Sequence, residues 1–251
     1  MCDTCGCNQP SDAVTIQIPG HKHEHNHSHH DDAHSGKILT IEQDILTKNN
    51  LIAERNREYF KTKGILALNL MSSPGAGKTT LLERTITDLK KEMNFCIIEG
   101  DQQTFNDANR IQAVGAPVVQ INTGKGCHLD AEMISKAVIK LNPSEKSVLI
   151  IENVGNLVCP ALFDLGESER IVIISVTEGD DKPIKYPNIF DAADICVINK
   201  IDLLPYVDFN LNQCKHYALQ VNHHLELFDL SVKTGDGMEN WYKWLKEKQK
   251  K

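Results

Sequence analysis

The segment Ser72-Ser73-Pro74-Gly75-Ala76-Gly77-Lys78-Thr79-Thr80 constrains this chain more than any other. It follows an apolar run, Ile65 to Met71, and leads into a helical pattern, Thr79 to Met93. Strand, glycine-rich loop and helix in that order make a phosphate-binding loop. Gly75 and Gly77 let the backbone N–H groups around Ala76 converge on phosphate oxygens with no Cβ in the way. The helix start at Lys78 adds the positive end of its dipole. Lys78 is placed for the β- and γ-phosphates, and the Thr79 hydroxyl, with Thr80 beside it, for Mg²⁺. The usual first glycine of such loops is Ser72 here, at the strand exit, where a small side chain is expected to be tolerated.

The rest of the chain continues the alternation. Further strands are expected at Phe95 to Ile98, Val118 to Ile121, Ser147 to Ile151, Ile171 to Val176, Ile195 to Ile198 and Leu225 to Leu230. Helices are expected at Phe105 to Val114, Ala131 to Leu141, Gln213 to His223 and Met238 to Lys248. Continuous Val- and Ile-rich strands between helices indicate a three-layer α/β fold, a P-loop NTPase whose mostly parallel sheet is covered on both faces. A length of 251 residues allows one such domain and an appendage. No apolar run approaches the ~18 residues of a membrane helix, and the polar start is not a secretory signal. Cytoplasm is therefore expected, with no membrane partner. A net charge of −7 with both signs interspersed argues against a nucleic-acid surface.

The N-terminal end differs. Of eight cysteines, three fall in the first seven residues, and seven of eleven histidines lie between His21 and His34. Residues 1–36 are expected to be a disordered, Cys/His-rich metal-binding tail, since this composition cannot bury itself. Residues 37–63 carry one amphipathic helix, with Ile38, Ile41, Ile45, Ile52 and Tyr59 near helical spacing and Gly64 as its stop. Residues 64–251 are expected to form the nucleotide-binding (G) domain.

Base choice rests on Asn199-Lys200-Ile201-Asp202, directly after a strand. Asp202 accepts from guanine N1 and N2, donors that adenine lacks. Lys200 lays its stem over the base, and Asn199 ties this loop to the phosphate loop. Ser231, Val232 and Lys233 follow the last strand, where a GTPase loop donates backbone N–H to guanine O6. Glu152-Asn153-Val154-Gly155 stands where a Walker B acid and a DxxG switch belong, with Glu for Asp. Glu152 is a candidate for holding Mg²⁺ through water. Asp101, at the exit of the second strand, is a candidate Mg²⁺ contact or water-orienting group, and Asp107 a weaker one.

Metal ligands recur in three places. Cys2, Cys5 and Cys7 offer three thiolates suited to zinc or nickel, unless they are unused thiols in a loose tail. The histidine tract offers weak sites for Ni²⁺. Cys127-His128 falls at a helix start, where the dipole favours the thiolate. Cys159 follows the switch-like segment, but the sequence by itself does not bring it near Cys127. Cys96, Cys196 and Cys214 sit in core-like runs.

Together these motifs resemble the HypB family, the nickel-hydrogenase maturation GTPases. The match adds Gly126-Cys127-His128-Leu129, Glu152 through Pro160, Asp181-Lys182-Pro183 and Lys185-Tyr186-Pro187, in the family's order. The resemblance implies a SIMIBI-class GTPase that delivers nickel. With the motifs above, the expected cofactors are GTP, Mg²⁺, Ni²⁺ and Zn²⁺, and turnover is expected to be slow because no arginine finger can be identified from the sequence. It implies a homodimer that depends on nucleotide or metal, with a HypA-like accessory protein and the hydrogenase large subunit as partners. It also implies that Cys127, His128 and Cys159 share one metal ion at or near the dimer interface. The alternatives are a urease-maturation GTPase of the UreG kind, whose metal motif is usually Cys-Pro-His, and a nickel-storage protein.

Overall fold

The computed structural model describes residues 32–101, 106–124 and 126–250, with the side chains of 32–42 and 106 outside that description. Cys2, Cys5, Cys7 and the histidines up to His30 lie outside the described residues, as does Phe105 at the expected start of a helix. The elements in chain order are α1 (Asp32–Lys63), β1 (Leu66–Ser72), α2 (Lys78–Leu89), β2 (Phe95–Asp101), α3 (Asn106–Ala113), β3 (Val118–Asn122), α4 (Ala131–Leu141), β4 (Val148–Glu152), β5 (Glu169–Ser175), α5 (Lys182–Lys185), α6 (Pro187–Asp191), β6 (Ile195–Asn199), α7 (Leu211–Val221), β7 (Glu226–Asp229) and α8 (Met238–Gln249). Short 3-10 turns at Cys159–Leu162 and Ile201–Tyr206 complete the set.

The seven strands form one sheet in the order β3-β2-β4-β1-β5-β6-β7, and every pairing is parallel. The expectation of a mostly parallel sheet thus becomes a wholly parallel one among the described residues. The central strands β1, β4 and β6 are buried along their whole length, as a sheet covered on both faces requires. Period-2 alternation splits the core in two. Leu68, Leu70, Ile150 and Ile173 face Leu82, Ile86, Trp241 and Leu245 of α2 and α8. Met71, Val172, Ile174 and Cys196 face Phe190, Cys214 and Ala218 of α6 and α7. Trp241 is wholly buried and satisfies its indole N–H on Thr85 Oγ1 at 3.0 Å. Each large side chain buried this way contributes about 1.5–3 kcal/mol.

The N-terminal helix departs from expectation. It spans Asp32–Lys63, so it begins inside the stretch 1–36 assigned to the tail and ends just before Gly64. Lys61 and Lys63 in the last turn suit the helix dipole. The chain divides into two units between Lys48 and Asn49. Within the second, the C-terminal part of α1 is an integral wall. Ala53 and Phe60 are buried. Asn56 Nδ2 donates to Ala131 O at 2.9 Å and Leu165 O at 3.0 Å. Asn49 donates to Asp164 O and accepts from Ala131 N. A Cβ on Gly166, whose φ is +89, would lie 2.5 Å from Ala53 O, so only glycine lets this loop pass so close.

Candidate nucleotide site and metal centre

The phosphate loop stands at the C-terminal edge of the sheet, where β1 gives way to α2. Gly75 and Gly77 take φ of +78 and +100. Gly77 is also tightly enclosed, since a Cβ there would lie 2.4 Å from Asn199 Nδ2. Ser72 is the last residue of β1 and is absent from the positive-φ set, so glycine's freedom is not needed there and the substitution costs nothing in backbone strain. The loop lines a cavity of about 570 Å³ together with Glu99, Asp101, Asp107, Glu152, Gly155 and Lys200.

Inside it, Glu152 Oε1 receives Lys78 Nζ at 3.0 Å and Thr79 Oγ1 at 2.6 Å. Asp101 and Asp107 both line the space. Asp107 pairs with Arg110 at 3.0 Å, and Arg110 also reaches Glu83. The switch-like segment touches the loop: a Cβ on Gly155 would lie 3.3 Å from Pro74 Cγ.

Two acids here were not singled out from sequence, and neither was Arg110, which lines the cavity. Glu99 is 2% exposed, and burial, reinforced by Glu152, Asp101 and Asp107, pushes its carboxyl up to about 8. The other is Glu178, in the loop after β5. It accepts from Ser73 Oγ of the phosphate loop and from Ser175 N. Glu99 carried a signal in its position two residues before Asp101, at the end of a buried strand. Glu178 had none beyond its place before Asp181-Lys182-Pro183.

The base loop is assembled as its motif suggests. Asn199 Nδ2 donates to Ala76 O at 2.9 Å, which is the tie between the two loops. Lys200 takes a left-handed φ of 62, and its Nζ donates to Gly75 O at 2.7 Å. Asp202 Oδ1 accepts from Ser231 Oγ at 2.6 Å, and Val232 N donates to Asn199 Oδ1 at 3.4 Å. Three segments remote in sequence therefore meet, with Asp202 held in place by Ser231. Lys233 is exposed beside Val232.

The structure also brings Cys127, His128 and Cys159 together. Their ligand atoms all lie within 4.8 Å of one another. Cys127 Sγ lies 3.0 Å from Cys159 Sγ and 3.7 Å from His128 Nδ1. Neither cysteine is in a disulfide. Two thiolates on one tetrahedral ion with ~2.3 Å bonds stand roughly 3.8 Å apart, so the pair has to open by less than an ångström. His128 stacks on Phe163, centroids 3.9 Å apart at 16°. Burial lowers its pKa, with Asp130 opposing, which favours the neutral imidazole that binds metals. Neither ligand loop is loose. Asn156 Nδ2 donates to Cys127 O at 3.3 Å, and Leu129 N donates to Asn153 Oδ1 at 3.4 Å. The switch-like segment thus grips the loop that carries Cys127 and His128 through two side chains.

Fold, phosphate loop and base loop define a P-loop nucleotide-binding protein with a GTPase fold. The family model described as CobW/HypB/UreG, nucleotide-binding domain, matches residues 66–229. The hydrogenase maturation factor HypB of Rhizobium leguminosarum bv. viciae is 57% identical over 209 residues, 83% of this chain and 70% of that protein. HypB of Cupriavidus necator is 40% identical over 317 positions, covering 98% of this chain and 88% of its own. The crystal structure of HypB from Archaeoglobus fulgidus superposes with a TM-score of 0.76 at 41% identity, covering 81% of this chain and 99% of that one. That of HypB from Helicobacter pylori in complex with nickel gives the same score and identity, covering 81% and 95%. This chain belongs to the HypB family of hydrogenase maturation factors, and hydrogenase maturation is its general role. No helix among the described residues is long and apolar enough to cross a membrane.

Proposed function

We propose that this protein hydrolyses GTP to GDP and phosphate and uses the cycle to hold and release a nickel ion destined for the large subunit of a [NiFe]-hydrogenase. The observation that carries the reading is the join between its two sites. Glu152, Val154 and Gly155 line the nucleotide cavity, and Asn153 and Asn156 of the same segment grip the Cys127-His128 loop.

The donor set fits a nucleotide with magnesium. Glu99 Oε2 and Glu152 Oε2 are buried and without a hydrogen-bond partner, a costly arrangement that a cation relieves. Thr79 and Asp101 would hold the magnesium, with Glu152 acting through water. When bound, magnesium neutralises charge on the β- and γ-phosphate oxygens. Lys78 leaves Glu152 for the β- and γ-phosphates. The N–H groups from Gly75 to Thr80 cradle them. Asp101 orients the attacking water. Asp202 takes two hydrogen bonds from guanine, Lys200 covers the base, and the Ser231-Val232-Lys233 backbone meets its O6. Arg110, which lines the cavity, is held by Glu83, Asp107 and Thr80, so turnover is expected to be slow.

Nickel is the cargo, and zinc suits the same atoms. Cys127, His128 and Cys159 are its seat in the domain, and Cys2, Cys5 and Cys7 with the histidine tract are a second seat. A homodimer, a HypA-like accessory protein, the hydrogenase large subunit and a cytoplasmic setting complete the proposal. The test is titration of nickel and zinc into protein loaded with GDP or with a non-hydrolysable GTP analogue, alongside GTP and ATP turnover. GTP-selective turnover and a state-dependent metal affinity abolished by Cys127→Ser are expected. No GTP turnover, or equal affinities in both states, sinks the proposal. Linkage sets the scale of any coupling at roughly 5- to 150-fold.

A further inference from the structure

We propose that Glu99 and Glu152 form a paired-carboxylate seat for a hard divalent cation, magnesium or manganese, built by the sheet itself and able to take the ion without a nucleotide. The proposal deepens the GTPase reading, since the seat opens on the same cavity, and it names Glu99 as a ligand-bearing residue that the phosphate-loop motifs do not supply.

The placement begins with strand pairing. β2 and β4 are parallel neighbours, and Glu99 is paired in register with Glu152. Adjacent strands lie ~4.8 Å apart and in-register residues share a face, so the two carboxylates emerge side by side. Asp101, two residues further along β2, returns to that face by the period of the strand and lines the same cavity. Both glutamates are about as buried as residues become, at 2% and 1% exposed. Each keeps an Oε2 that meets no hydrogen-bond donor.

The neighbouring cations do not answer these two oxygens. Lys78 and Thr79 both go to the other oxygen of Glu152, Oε1. Arg110 is engaged by Glu83 and Asp107. Lys200 is directed at the Gly75 carbonyl. Like charges held side by side in a buried place are costly, and a divalent ion between them removes the cost. All the donors are oxygens, which selects a hard ion and leaves nickel to the Cys127-His128-Cys159 centre. In most phosphate-loop proteins magnesium is held by one or two carboxylates together with the substrate phosphates. Glu99, Glu152, Asp101 and the Thr79 hydroxyl around one cavity lessen that dependence on phosphate.

The test uses the full chain, stripped of nucleotide, with Mn²⁺ as the probe and the free ion followed by electron paramagnetic resonance. We expect bound Mn²⁺ that excess Mg²⁺ displaces, which separates it from ion held by cysteine or histidine. Glu99→Gln should weaken that displaceable binding about 10- to 100-fold. In chelator near neutral pH the same variant should melt no lower than wild type, because the amide replaces a carboxyl that burial already holds mostly protonated. Should it fail to fold, Glu99→Asp, which keeps the charge but withdraws it by one methylene, is expected to lose affinity in the same assay. Absence of Mg²⁺-displaceable Mn²⁺ binding without nucleotide, or an affinity that these substitutions leave unchanged, overturns the seat. GTP turnover in the same preparations tests the other reading separately. Turnover without nucleotide-free ion binding removes the seat alone, and ion binding without turnover removes the GTPase reading alone.

Discussion

Replacing Asn156 with alanine cuts the join between the two sites at one point. Its Nδ2 donates to Cys127 O at 3.3 Å, and its Oδ1 accepts from Val158 N at 2.8 Å. The first bond fastens the Cys127 loop to the segment leading to Cys159. The second closes an asparagine turn two residues long. Val158 is exposed, so water replaces most of what its N–H loses, while the Cys127 carbonyl is left in a half-buried place. At about 1 kcal/mol for a net hydrogen bond, the loss of stability should be ~1–2 kcal/mol. In a domain of this size that lowers the melting temperature by roughly 2–4 °C for each kcal/mol. The effect on metal should be much larger in proportion, about 10- to 100-fold in affinity, because an outer partner that orients a ligand is lost. Competition against a chromophoric chelator, in GDP and in a GTP analogue, measures both the affinity and its dependence on nucleotide. A variant that melts as expected but binds nickel as tightly as wild type in both states would refute the claim that Asn156 aligns the centre.

Three further outcomes are expected. Asp202→Asn should keep the Ser231 contact, since the amide oxygen still accepts, yet turn preference from GTP toward xanthosine triphosphate; retained GTP preference in competition assays would contradict the base assignment. Removing residues 1–31, the stretch ahead of α1, should leave GTP turnover and the Cys127 centre intact, as phosphate release and metal titration will show, and loss of turnover would place the tail in the catalytic machinery. Burial pushes Cys96 up to about 11 and Cys214 up to about 12 from an ordinary 9.0. Because the folded pKa is the higher one, their contribution to stability is complete below pH 9.0 and declines as pH rises toward the folded values, by up to about 1.4 kcal/mol per unit for each thiol. Denaturant midpoints should therefore fall on the alkaline side, and iodoacetamide at neutral pH should spare both residues until the protein unfolds; rapid labelling of Cys214 in the native state would contradict this.

What the sequence reveals depends on how local the determining physics is. The phosphate loop is legible because strand, glycines and helix are contiguous, and the Asn199 tie follows from a motif that is itself short. β3 is harder, since its residues are only half-buried and its apolar run is brief. The meeting of Cys127 with Cys159 depends on α4 and β4 returning the chain across the sheet, so only the family resemblance anticipated it. Glu178 reaches Ser73 across 105 residues, and no periodicity encodes such a contact. The C-terminal part of α1 was the least legible stretch. Asn49 and Asn56 are buried polar residues that an amphipathic pattern assigns to solvent, whereas each satisfies backbone groups of the domain.

Those two asparagines limit how far the metal centre can be transplanted. Asn56 holds Ala131, three residues beyond His128, and Leu165, two residues beyond Phe163, on one amide group. The ligand histidine and the ring it stacks on are thus both aligned from a helix that precedes the phosphate loop. Copying the Cys127-His128 and Cys159 loops into another P-loop protein would move the ligands without the strut that sets their spacing. A chain begun at Gly64 would likewise keep every nucleotide motif and lose that strut. The portable unit is larger than the motifs that advertise it, and it starts no later than Asn49.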